Sequence, residues 1–142
     1  MIHTQGPALD RTVHLTNEWI HAVAGRLSRD EQHAWRALRA TLQVLRDRLP
    51  VAEAAQLAAQ LPALLRGVFW EGWQPGHTLD MRDKQSFLDA VAGALGDQTV
   101  LPEAAARAVF EELGARVSAG EIAQVRMALP EAIRDLWPEP QP

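Results

Sequence analysis

A chain of 142 residues, 47% hydrophobic and 23% charged, is long enough to bury one core without staples. It contains no cysteine, which excludes disulfides, thiolate zinc sites and cysteine nucleophiles. Its formal net charge of −4 argues against general affinity for nucleic acid, and no apolar run reaches the roughly 18 residues that span a bilayer.

No basic segment followed by an apolar run opens the chain, so a cytoplasmic location is expected. All basic residues but Lys84 are arginine and alanine is abundant, a composition that suggests a GC-rich bacterial genome. A loose lead-in through Gly6-Pro7 precedes a helix from about Ala8 or Asp10 to Leu27. In it Leu9, Val13, Thr16, Ile20, Val23 and Leu27 recur at spacings of three and four, the mark of one buried face. Ser28 and Glu31 have the spacing of a capping box for a second helix reaching about Leu49. There Trp35, Leu38, Leu42 and Leu45 form the apolar stripe, and Arg29, Arg36, Arg39 and Arg46 lie away from it. Pro50 ends that helix.

A third, short helix is expected from Val51 to about Ala59. A fourth runs from about Leu61 to Trp70, with Pro62 in its first turn. Being apolar on most sides apart from Arg66, it is expected to sit centrally, with a close helix crossing to justify Gly67. Residues 75–82 read as a linker. Asp83 then caps a helix ending at Leu95 before Gly96, and Pro102 opens another reaching about Val117. Ser118 and Glu121 have capping-box spacing again, and a last helix follows Pro130 and ends near Trp137. Residues 138–142 read as a frayed tail. Thr99-Val100-Leu101 is the only strand-like scrap, so the fold class is all-α.

The chain repeats itself at a constant offset: Arg48 and Arg116, Glu53 and Glu121, Pro62 and Pro130, Leu61 and Leu129 correspond. Self-similarity at a fixed period marks duplicated supersecondary units. The expected architecture is two four-helix halves, residues 8–74 and 83–138, related by a pseudo-twofold axis and packed into one compact domain with a shared core. Arg48 with Glu53 and Arg116 with Glu121 are expected as structural ion pairs, each at the junction of two helices where their charges oppose the dipoles. Arg66 and Arg134 also correspond, and the repeated arginines Arg48, Arg116, Arg66 and Arg134 leave open a symmetric anion site.

Four stretches, TNEWIHAV at Thr16–Val23, ALRATLQVLRDRLP at Ala37–Pro50, AAQLPALLRGVFWEGWQP at Ala58–Pro75 and AVFEELGARVSAGEIAQVRMALPEAIRDLWP at Ala108–Pro138, together resemble the bacterial domain-of-unknown-function family numbered 2267. The resemblance covers nearly the whole chain in order. It implies a small, helical, doubled protein and brings no catalytic residue and no cofactor.

Candidate sites are few. Glu71 lies between Trp70 and Trp73, where indoles around one acid favour general-acid work or cation binding. His14, Glu18 and His21 share one helical face at metal-ligand spacing, but no second helix offers a matching set. No P-loop, nucleotide-binding glycine pattern, nucleophile elbow or His-Glu-x-x-His occurs, so no catalytic residue is assigned and no cofactor is expected. The expected function is a non-enzymatic interaction or structural module, binding a protein partner or a second copy of itself as a homodimer, with neither nucleic acid nor membrane as partner. The alternative is a small-molecule or metal-binding bundle using Glu71 and Trp73 or the His14, Glu18 and His21 face.

Overall fold

The computed structural model describes residues 6–76, 80–96 and 99–139. His3, His77 and the end of the tail lie outside them. Among the described residues the chain forms eight α-helices and no strand: α1 (Pro7–Leu27), α2 (Glu31–Arg48), α3 (Val51–Ala58), α4 (Ala63–Trp70), α5 (Lys84–Leu95), α6 (Pro102–Arg116), α7 (Ala119–Ala128) and α8 (Glu131–Arg134). Thr99 and Val100 form a turn, and Leu101 caps α6.

Local chemistry sets most helix ends. Asp83 accepts from the Ser86 amide to start α5, and Gly96 ends it in the left-handed conformation at φ 61°, which glycine adopts without a Cβ penalty. Ser118 accepts from the Glu121 amide to start α7. The expected box at Ser28 is a correction. Ser28 is itself the left-handed terminus of α1 at φ 53°, and Asp30, two positions later, accepts from the His33 amide to start α2. A helix–helix corner needs residues to turn in, and a carboxylate is the stronger acceptor for an orphan N–H.

The organising helix is α2, which packs against α1, α4, α5 and α6. It is buried on nearly every side, with Ala34, Ala37 and Ala40 as well as Leu38, Leu42 and Leu45 in the core. Alanines at those positions let neighbouring helices approach closely. The expectation that α4 would be central is corrected: only its Leu65 and Phe69 are fully buried, and Leu64 is exposed. Arg46 also departs from its expected place on the solvated arginine face. It is 6% exposed and donates to the carbonyls of Phe69 at 2.9 Å and Glu71 at 2.6 Å, satisfying the orphan C=O groups at the end of α4.

Helices of the first half pack on helices of the second: α1 and α2 against α6, α2 against α5, α3 against α7. One hydrophobic core runs through both, from Trp19 and Leu42 to Phe87, Phe110 and Trp137. Leu61 and Leu129 are both buried.

No helix crossing explains Gly67. A Cβ built there meets nothing within 4 Å, and the residue is exposed within α4. Gly67→Ala is therefore expected to stabilise the fold by about 0.5–1 kcal/mol, the helix-propensity difference. Thermal unfolding should show a melting temperature raised by about 2–3 °C.

Candidate functional site

Arg48 and Arg116 do not pair with Glu53 and Glu121. Arg48 Nε donates to the Met81 carbonyl, and Arg116 Nε donates to Glu112 Oε2 at 2.7 Å. Each guanidinium takes an acceptor beside its own helix end. The two glutamates instead face each other across the α3–α7 seam. Glu121 is 7% exposed. Glu53 Oε1 and Glu121 Oε2 are buried and receive no donor from the rest of the described chain. Burial, together with the hydrogen bond to Glu53 and its charge, pushes Glu121 up to about 7.

Arg66 and Arg134 keep equivalent partners. Arg66 donates to the carbonyls of Ala58, Ala59 and Leu61 at 3.0, 3.3 and 3.0 Å. Arg134 donates to those of Leu129 at 3.0 Å and Met127 at 3.3 Å. Met127 and Leu129 are the repeat counterparts of Ala59 and Leu61. Both guanidiniums thus serve the carbonyl ends of the short helices α3 and α7.

The corner after α4 holds the expected aromatic residues, joined to each other. Trp70 meets Phe69 and Trp73 edge-to-face, with centroids 5.2 and 5.5 Å apart. Glu71 stands in solvent and accepts from Arg39 at 2.8 Å. It is not the buried acid that two flanking indoles would make. On α1, His14 lies 3.7 Å from Glu18, but His21 turns to Glu31 of α2 at 3.5 Å, so the three side chains do not converge. Among the described residues no group of three metal-ligating side chains gathers.

A concavity lies elsewhere, between the end of α6, one face of α7 and the segment after α8. Its volume is about 710 Å³, within the range of ligand sites. Gly114 and Ala115 of α6 and Ala119 and Ala123 of α7 line it with small side chains; Ile122, Trp137 and Pro138 add apolar surface. Met127, 78% exposed, lines it as well. Phe110 stacks on Trp137 at 4.1 Å and 7°, and Arg126 donates to the Pro138 carbonyl at 2.8 Å. The start of the expected frayed tail is thereby held as one side of the groove. Arg26, Arg126 and Arg134 bring positive charge, and Glu111 and Glu139 bring negative charge. Arg126 and Arg134 donate to backbone carbonyls and form no ion pair among the described residues. Sequence reasoning missed this surface. Its signal was the recurrence of Ala119, Ala123 and Met127 at spacings of four, a helix face with no bulky core residue.

A family model described as an uncharacterized conserved protein (DUF2267) matches residues 16–136. The chain belongs to the DUF2267 family. The matched span contains Glu53, Glu121, the Trp70–Trp73 corner and all of the groove but Trp137, Pro138 and Glu139. No curated protein matches the chain.

One further network within the DUF2267 span fixes the groove's α6 side. Glu112 is buried and accepts from Arg26 of α1 and from Arg116, each at 2.7 Å. Arg116 also lies over the Trp19 ring at 5.5 Å. Burial works against the Glu112 carboxylate, but the hydrogen bonds from Arg116 and Arg26 outweigh it and hold the group below the usual carboxylate range. Arg26 is consequently committed to Glu112 and Glu111, leaving Arg126 and Arg134 as the groove's cations that, among the described residues, bond only to backbone carbonyls.

Proposed function

We propose that this DUF2267 protein is a non-enzymatic interaction module of the bacterial cytoplasm, and that its groove receives an amphipathic, acidic segment of a partner protein. The observation that carries this reading is the pairing of an apolar trough with two guanidiniums that lack a carboxylate partner among the described residues. An amphipathic helix presents apolar side chains at spacings of three and four, and a carboxylate beside them gives Arg126 or Arg134 the acceptor it lacks. The exposed Met127 suits such a surface because its flexible thioether adapts to varied apolar shapes. The bacterial, cytoplasmic setting is the one suggested by the arginine- and alanine-rich, cysteine-free composition.

Displayed libraries of helical peptides, selected on the purified protein, test this. The selected peptides should combine apolar residues at helical spacing with Asp or Glu. Arg126→Glu should weaken them at least tenfold and Ala123→Trp, which fills the trough, should abolish binding. Equal binding to both variants overturns the proposal. So does light scattering that shows a homodimer disrupted by Ala123→Trp, because the occupant is then a second copy. Melting temperatures raised by long-chain fatty acids in the wild type only, with no peptide selected, would make the groove a small-molecule site instead.

A further inference from the structure

Where α3 and α7 meet, two carboxyl groups, Glu53 and Glu121, face each other with no cation paired to either among the described residues. Glu53 is the sole titratable residue of α3. On α7 the other charged group, Arg126, donates to Pro138. On α6, the remaining element packed against α7, every charged residue is committed. Glu103 is paired with Lys84 and Arg107, Arg107 also with Asp135, Glu111 and Glu112 with Arg26, and Arg116 with Glu112. None of these groups neutralises the glutamates. Two carboxylates in contact, Glu121 buried and Glu53 half-buried, cannot both stay ionised at low cost, and one retained proton turns repulsion into a hydrogen bond.

We infer that Glu53 and Glu121 share one proton across the α3–α7 seam, and that its loss loosens α7 from α3, making the seam a proton-controlled latch. The step is a simple ionisation: the carboxylic acid releases its proton to water and two carboxylates remain face to face. Beside the pair, the Gln60 side chain and Ser118 exchange two hydrogen bonds at 3.1 and 2.9 Å. Neither group titrates, so this contact stays as the pivot when the carboxyl pair opens. Packing leaves this seam the easiest part of the fold to open, since among the well-packed pairs α3 rests on α7 alone and α7 on α3 and α6 alone, whereas α2 has four neighbours.

The direction with pH follows from the proton count. The folded pair holds a proton up to about pH 7, whereas a free glutamate releases it near 4.5. Between those values the folded chain binds more protons than the unfolded one, so stability falls as pH rises through the window and levels off above it. This inference is independent of what the groove binds.

Hydrogen exchange of the full chain between pH 5.5 and 8.5, expressed as protection relative to intrinsic rates, is the test. Protection of α7 amides should fall at least tenfold across the window, while that of α5 amides stays level. Glu121→Gln and Glu53→Gln each supply an amide donor to the remaining carboxylate, and each should abolish the fall. At pH 8 both variants should melt higher than the wild type, by about 3 °C or more. The α7 readout separates this from the histidines His14, His21 and His33, which lie on α1 and α2. Constant α7 protection in the wild type overturns the latch, as does a wild-type fall that both glutamine variants reproduce.

Discussion

Phe110→Ala is expected to lower stability by about 4 kcal/mol, within the range of about 3–5 kcal/mol for buried Phe→Ala changes. Phe110 is fully buried, lies 5.9 Å from the Phe87 ring and stacks on Trp137. Truncation removes the transfer free energy of the ring and leaves a cavity that rigid helices α2, α5 and α6 close only in part. Loss of the aromatic pair adds about 0.5–1.5 kcal/mol within that range. For a chain of this length the melting temperature should drop by about 12 °C or more. Phe110→Leu separates the two contributions, because it keeps most of the volume and loses the stack. It should cost about 1–2 kcal/mol. Trp137 is one side of the groove, so even this milder variant should weaken a bound peptide. Denaturant melts in which both variants differ from wild type by no more than a neutral surface substitution, about 0.5 kcal/mol, would show that the stack carries no weight.

Glu112→Ala is expected to cost about 2–3 kcal/mol at pH 6, less than the loss from a fully buried pair. Removing one partner of a fully buried ion pair costs about 3–5 kcal/mol, because the other charge is stranded. The smaller figure follows from the arginine exposures: the Arg26 and Arg116 side chains keep 34% and 31% of their surface in water. Arg26 also retains Glu111, and Arg116 retains the Trp19 face. The sign with pH is opposite to that of Glu121. Glu112 is held below its ordinary value of 4.5, so its contribution is present above that value and is lost as pH falls through the lowered one. Wild type and Glu112→Ala should converge in melting temperature towards pH 3 and diverge above pH 5. Together with the Glu53–Glu121 pair, whose contribution declines from 4.5 up to about 7, this places the stability maximum near pH 4.5. A gap between the two proteins that persists unchanged to pH 3 would refute the role assigned to the carboxylate.

The helices were legible in the sequence because their ends are written in local chemistry. Asp83, Gly96, Pro102 and Ser118 act on near neighbours in the chain, so their roles survive without knowledge of the fold. Failures came where a choice was tertiary. Ser28 and Asp30 compete to start α2, and the turn out of α1 decides for Asp30. Alanines at 34, 37 and 40 are too small to mark an apolar stripe, yet they are buried in α2, the helix at the centre of the bundle. Arg46 has the pattern of a surface arginine, and only the folded chain brings the α4 carbonyls to it.

The glutamates show the same limit more sharply. The constant repeat offset marked Glu53 and Glu121 as related positions. Spacing alone favoured pairing each with the arginine shortly before it. In the fold they pair with each other, because α3 and α7 pack together. The groove was illegible for another reason. Its residues come from α6, α7 and the segment after α8, and its apolar character resides in small side chains and a methionine that no periodicity of large residues reveals.

The groove's role as the working surface is tested most directly by amide chemical-shift mapping of the labelled protein with a selected acidic amphipathic peptide. Perturbations should concentrate between Gly114 and Met127 and between Arg134 and Pro138. Perturbations centred on the Trp70–Trp73 corner, or on the outer face of α1, would contradict that role.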